Sequence, residues 1–133
     1  ADAVMYLRDR NAGLLPLEAF GDGIRRILLI ASAITAARNG MLLIDELETA
    51  IHISALGNAF RWMVNACEAN NVQLFATTHS LEAIDSLLAA DETPAREDIV
   101  GYRLEATGQT ITVRRYGEDL LRRLRMERGV EVR

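Results

Sequence analysis

The sequence predicts an α/β chain: short parallel strands with flanking helices, followed by a terminal antiparallel β-hairpin. Three observations predict it. Met41-Leu42-Leu43-Ile44 is a continuous apolar run that stops abruptly at Asp45-Glu46, the pattern of a parallel strand covered on both faces. Val72-Gln73-Leu74-Phe75-Ala76-Thr77 reads as a second strand, and a segment of helical apolar spacing lies between the two. Near the end, residues 99–106 and 110–116 flank Thr107-Gly108-Gln109, a hairpin signal. Helix, strand, helix, strand, helix in this order implies a right-handed crossover between parallel strands. Ligands in such sheets sit beyond the carboxyl ends of the strands.

Taken in order, residues 1–16 alternate weakly and end in Gly13 and Pro16, as an edge strand with a loop or a ragged start would. From Gly23, the residues Ile24, Ile27, Leu28, Ala31 and Ile34 fall on one helical face, with Asp22 placed as cap and Gly40 as stop. After the first strand, a helix over 54–70 turns Leu56, Phe60, Met63, Val64 and Cys67 inward, and Asn70-Asn71 breaks it. Ser80 caps a third helix bearing Leu81, Ile84, Leu87 and Leu88. Residues 91–98, with Pro94, read as a polar loop. After the hairpin come an arginine-rich helix over 118–127 and a tail over 129–133.

Composition narrows the chemistry. The chain has 133 residues, 50% apolar and 26% charged, enough for one domain with a real core and unlike a disordered segment. No apolar run reaches the roughly 18 residues that span a bilayer, and residues 1–10 show no signal-peptide pattern, so a cytoplasmic protein without membrane contact is expected. One cysteine, Cys67, permits no internal disulfide and fits a reducing compartment. Net charge is −4, and all 15 basic residues are arginine. Without lysine there is no Schiff-base chemistry and no self-sufficient phosphate-binding P-loop with its usual lysine. A globally acidic chain is no general nucleic-acid binder, although a local basic face remains open.

The two strand ends carry the polar residues. Four apolar residues followed by Asp45-Glu46 form the pattern called Walker B: one carboxylate at a rigid strand end can hold Mg²⁺, and the next can activate a water aimed at a γ-phosphate. The plainer alternative is that both acids favour the start of the following helix. His79 follows the second strand through Thr77-Thr78 and belongs at the same sheet edge, where an imidazole can bond a terminal phosphate oxygen.

With these residues in hand a resemblance is definite. Leu42-Leu43-Ile44-Asp45-Glu46-Leu47-Glu48, then His52-Ile53-Ser54-Ala55-Leu56, then Thr77-Thr78-His79-Ser80, resembles the C-terminal half of an ABC-type ATPase. It is most similar to the soluble branch that includes overcoming-lysogenisation-defect proteins and prokaryotic AAA-named ATPases, whose heads resemble those of chromosome-maintenance and recombination ATPases. Ala19-Phe20-Gly21-Asp22-Gly23-Ile24-Arg25-Arg26 stands in the place of the ABC signature. The resemblance, over about residues 16–88, implies the C-terminal part of a P-loop NTPase fold with ATP and Mg²⁺ as ligands. It implies Asp45 as metal holder, Glu46 as water activator and His79 as γ-phosphate contact. Ala19, Gly21, Asp22 and Gly23 would be signature residues facing the opposite protomer's nucleotide, and Ser54-Ala55-Leu56 the D-loop. Ala19 replaces the family's usual serine and offers no hydroxyl; Leu47 replaces the proline of transporters, as in the soluble branch.

No P-loop or Q-loop is present, so the chain is expected to be a piece or split half of a longer ATPase, inactive alone, with residues 1–133 forming one lobe. The implied partners are an N-terminal P-loop half, a second copy closing a nucleotide sandwich, and a DNA or effector protein, in DNA maintenance or anti-phage defence. Two rivals stand beside it: a degenerate ATPase half acting as a protein-interaction module, and a metal-dependent nuclease built on Asp45, Glu48 and His52. Glu48 and His52 more simply shape the D-loop. Arginines 114, 115, 122, 123, 125 and 128 are either a DNA-contacting patch or a solvated face paired with Glu118, Asp119 and Glu127.

Overall fold

The computed structural model describes residues 4–90, 98–108 and 110–127. Residues 91–97 of the expected polar loop, Gln109 of the hairpin turn, Arg128 and the tail lie outside the described residues.

The first segment is a hairpin, β1 (Tyr6–Asp9) antiparallel to β2 (Gly13–Pro16). Asp9 Oδ1 accepts the N–H groups of Asn11 and Ala12, each at 2.8 Å, and Gly13 takes a left-handed φ of 80°. These bonds make the turn, and the N–H groups of Ala12 and then Asn11 hold the Asp9 carboxyl below its ordinary pKa. A 3₁₀ turn (Leu17–Ala19) leads into α1 (Asp22–Ala36).

Three expectations for α1 are corrected. Its cap is Gly21, with no side-chain bond, and Asp22 lies in the first turn 3.5 Å from Arg25. Its buried stripe is Ile30 and Ile34, with Ile27 and Ala37 packed beside them, while Ile24 is exposed. The left-handed residue after the helix is Asn39, not Gly40; its N–H reaches the Asn70 carbonyl at 3.0 Å.

β3 (Met41–Ile44) and β4 (Gln73–Ala76) pair in parallel, Leu42 opposite Leu74 and Ile44 opposite Ala76. Between them runs α2 (Ile53–Asn70), which Asn71 ends in a left-handed conformation. The core lies on one face of this pair: Leu56, Ala59, Phe60, Met63 and Cys67 of α2 pack with Ile30, Ile34, Leu42, Ile44 and Leu74. Burial pushes the Cys67 thiol pKa up. The other face is bare. Met41 and Leu43 are 60% and 71% exposed and Phe75 is 47% exposed, so coverage on both faces does not hold within the described residues.

α3 (Leu81–Ala90) starts as expected, Ser80 Oγ accepting the Ala83 N–H at 3.1 Å. β5 (Val100–Thr107) and β6 (Thr110–Gly117) form the terminal hairpin. α4 (Glu118–Arg122) follows and continues as a π-helical turn (Arg123–Glu127). Leu88 and Leu121 centre a second, smaller cluster. No described helix is long and apolar enough to cross a membrane.

Candidate functional site

Both strands of the parallel pair end at one polar junction. Thr77, just past β4, continues the ladder: its N–H bonds the Ile44 carbonyl and its carbonyl accepts the Leu47 N–H, both at 3.0 Å. Its hydroxyl accepts the Glu46 N–H at 2.9 Å and donates to Asp45 Oδ1. One hydroxyl therefore orients both acidic residues. Asp45 and Glu46 are exposed, and neither is in an ion pair among the described residues.

The chain leaves β3 by a sharp turn. Glu46 has a φ of 48°, and Ala50 follows with 66°. A non-glycine residue in this region is costly and persists only where its surroundings enforce it. Here Thr49 N–H bonds the Glu46 carbonyl and Ile51 N–H the Glu48 carbonyl, both at 3.0 Å, while Leu47 and Ile51 are buried as anchors. The Thr49 hydroxyl donates to Glu46 Oε2 at 3.0 Å, and Oε1 has no partner among the described residues.

His79 is an exposed residue at the same edge, and its main chain is held by Glu48: the His79 N–H donates to Oε1 at 3.3 Å. Glu48 Oε2 is buried without a partner among the described residues. Arg26 of α1 reaches across to the same turn, its Nη2 donating to the main-chain carbonyls of Asp45 at 3.0 Å and Glu46 at 3.4 Å.

Of the expected signature residues, Gly23 lies against this turn. Ala19 ends the 3₁₀ turn and Gly21 and Asp22 open α1, all three exposed. A Cβ on Gly21 would meet nothing within 4 Å among the described residues, whereas one on Gly23 would lie 2.9 Å from the Ala50 carbonyl oxygen. Gly23 is glycine because α1 rests on the turn's backbone. Of the three residues expected to form a D-loop, Ser54 is exposed and Ala55 half-buried, but Leu56 is 3% exposed and belongs to the core.

His52 caps α2, its Nδ1 accepting the Ser54 N–H at 3.3 Å. Glu48 turns to His79, and no group of three metal-ligating side chains forms among the described residues, so the nuclease trio of Asp45, Glu48 and His52 is not assembled. The arginine patch is largely spent on carboxylates: Arg114 on Glu105, Arg122 on Glu118, Arg123 on Asp119 and Arg125 on Asp85. A shallow apolar depression lined by Leu43, Ile44, Asp45, Phe75, Ala76 and Thr77 adjoins the acidic turn on the bare face.

Arg26, Thr49 and the hydroxyl role of Thr77 are not readable from local pattern. Thr77 lies 32 residues from Asp45 and Arg26 lies 19 before it. Only the placement of Thr77 at the second strand's end hinted at its partner.

A family model described as "AAA domain, putative AbiEii toxin, Type IV TA system" matches residues 2–85, the span from the first hairpin into α3 that contains the whole junction. The chain belongs to this AAA-domain family. An uncharacterized protein of Methanocaldococcus jannaschii is 40% identical over 101 residues, covering 76% of this chain and 80% of that protein. A Helicobacter pylori protein named as an ATP/GTP phosphatase is 37% identical over 76 residues, 55% of this chain; the chain spans only 20% of that relative's length. No solved structure matches. Within the AAA-domain family match lie Asp45, Glu46, Thr77, His79 and Arg26, and the β5–β6 hairpin lies beyond it.

Proposed function

We propose that this chain is the C-terminal lobe of an ABC-like ATPase, which hydrolyses ATP when joined to a P-loop half and closed against a second copy. The observation that carries the reading is the acidic junction: two exposed acidic residues at a parallel strand's end, where the Thr77 hydroxyl, just past the neighbouring strand, holds the Asp45 carboxylate and the Glu46 main-chain N–H. The name of the Helicobacter relative supports nucleotide hydrolysis as the chemistry.

Asp45 fits a hard cation, being an oxygen donor with no cation paired to it among the described residues. Mg²⁺ held there would neutralise charge on the terminal phosphates. Glu46, its Oε2 engaged by Thr49, keeps Oε1 to accept a proton from the attacking water. His79 offers an exposed imidazole to a γ-phosphate oxygen, with its backbone fixed by Glu48. The bare face of β3 and β4 beside Asp45 is where the P-loop half would lie. The N-terminus of α1, with Gly21 in open space, would present N–H groups to the partner copy's nucleotide, without a hydroxyl at Ala19. Ser54 and Ala55 would lie at the crossing between copies. A DNA or effector protein in genome maintenance or phage defence would be worked by that closure.

The test is Glu46→Gln in the full-length protein. ATP binding should persist, turnover should fall by most of its value, and an ATP-dependent dimer should accumulate on a sizing column. Wild-type turnover in this variant would reject Glu46 as the catalytic residue, and a full-length protein without ATP turnover would reject the ATPase reading. The 133-residue chain alone should give no saturable heat with Mg-ATP.

A further inference from the structure

We infer that Arg26 is a positioning residue that couples the seating of α1 to the aim of the catalytic carboxylate. The inference rests on the ATPase reading above and adds a line of communication within one copy. Arg26 lies in the second turn of α1, and its guanidinium binds the carbonyls of Asp45 and Glu46, not their carboxylates. It therefore fixes the backbone from which both acids project while leaving the acids free for metal and water. Gly23, three residues earlier on the same helical face, sits against the Ala50 carbonyl so closely that a Cβ would be 2.9 Å away. One face of α1 thus grips the acidic turn at both ends, Asp45–Glu46 and Ala50.

What it grips is a strained segment. Glu46 and Ala50 both hold left-handed backbone, which survives only when neighbouring bonds over-determine it. Arg26 supplies two of those bonds. Its Nε is buried with no partner among the described residues, so its hold on the turn runs through Nη2. The start of α1 is the end offered to a second copy's nucleotide, and Asp45–Glu46 serves the chain's own. A shift of α1 when the dimer closes would be passed by Arg26 to Glu46.

The experiment uses the full-length protein and two substitutions. Arg26→Met keeps the aliphatic stem and loses the donors; Arg26→Lys keeps a cation that can reach one carbonyl. Turnover, ATP affinity, melting temperature and ATP-driven dimerisation in a Glu46→Gln background are measured for each. Arg26→Met should lower kcat about 10- to 100-fold, the penalty of a misplaced catalytic group. Its ATP affinity should stay within about 2-fold and dimerisation should persist, a loss confined to the chemical step. Arg26→Lys should recover part of kcat. Wild-type kcat in Arg26→Met overturns the inference, and so does a parallel fall of kcat, affinity and melting temperature with no rescue by lysine. Should Arg26→Met fail to fold, wild-type kcat in Arg26→Lys overturns it, and reduced kcat at unchanged KM supports it. Absence of ATP turnover in the full-length wild-type protein defeats the ATPase reading itself, whatever Arg26 does, whereas turnover that survives Glu46→Gln removes Glu46 as the catalytic carboxylate and this inference with it.

Discussion

From α1 to α3 the chain is held by apolar side chains, Phe60, Ile34 and Met63 almost wholly hidden among the faces of α1, α2 and the β3–β4 pair. From β5 to α4 it is held by few apolar groups and several charges. Glu118, fully buried, takes Arg122 Nε at 2.8 Å and the Ile99 N–H at 3.2 Å, and Arg125 clasps Asp85 of α3 through two bonds of 2.8 Å. Burial is non-directional and gives bulk stability; a bidentate charge pair is directional and fixes where one unit sits on another. The contrast fits a division of labour in which the first part keeps the acidic junction rigid. The second is pinned at chosen points to the helix that follows His79.

The largest effect that would sharpen this contrast is Phe60→Ala. It should lower unfolding free energy by about 3–5 kcal/mol in denaturant titration, the range for emptying a buried aromatic site. A loss below about 1 kcal/mol would move the centre of the core elsewhere. Arg125→Ala should cost less, about 1.5–3 kcal/mol for lost charged hydrogen bonds. Its effect should be local: amides of β5 and β6 exchange faster while those of β3 and β4 keep their protection. Uniform acceleration would erase the distinction between the two parts. Thr77→Val removes the acceptor for Glu46 N–H and the donor to Asp45, and should cost only about 1 kcal/mol of stability. In the full-length protein it should cut turnover roughly 10-fold by loosening the acids.

The smallest effect lies at the first hairpin. The Asp9 pKa is lowered from 3.8 by the N–H groups of Ala12 and Asn11, so its contribution is present above 3.8 and lost as pH falls through the lower folded value. The amide shifts of Asn11 and Ala12 should follow that titration, and Asp9→Asn should abolish it. A midpoint at or above 3.8 would mean the turn is open in solution.

The elements that the sequence announced best are those with a single strong local signal. Met41–Ile44 has four apolar residues bounded by Gly40 and Asp45, and α3 has Ser80 as a cap; both start where expected. α1 misled because Ile24, Ile27, Leu28, Leu29, Ile30 and Ile34 surround most of its circumference, and periodicity cannot choose which stripe finds a partner. Exposed Ile24 and Leu29 show the cost of that ambiguity. At the junction, the placement of Asp45, Glu46 and His79 at one sheet edge was legible because each follows closely on an apolar strand run. Arg26, Thr77 and Glu48 act across 19 to 32 residues of chain, a distance on which local pattern is silent.

Gly21 and Gly23 look alike in the sequence, two glycines astride one aspartate, yet a methyl group would question different things at each. At Gly23 it would push against the chain's own Ala50 oxygen, so any loss of activity reports on how the protein fits itself. At Gly21 it would enter open space at an ordinary helix-cap conformation, φ −67°, and leave the fold as it is. An alanine at 21 is therefore the clean probe of whatever approaches from outside, and an alanine at 23 is its internal control.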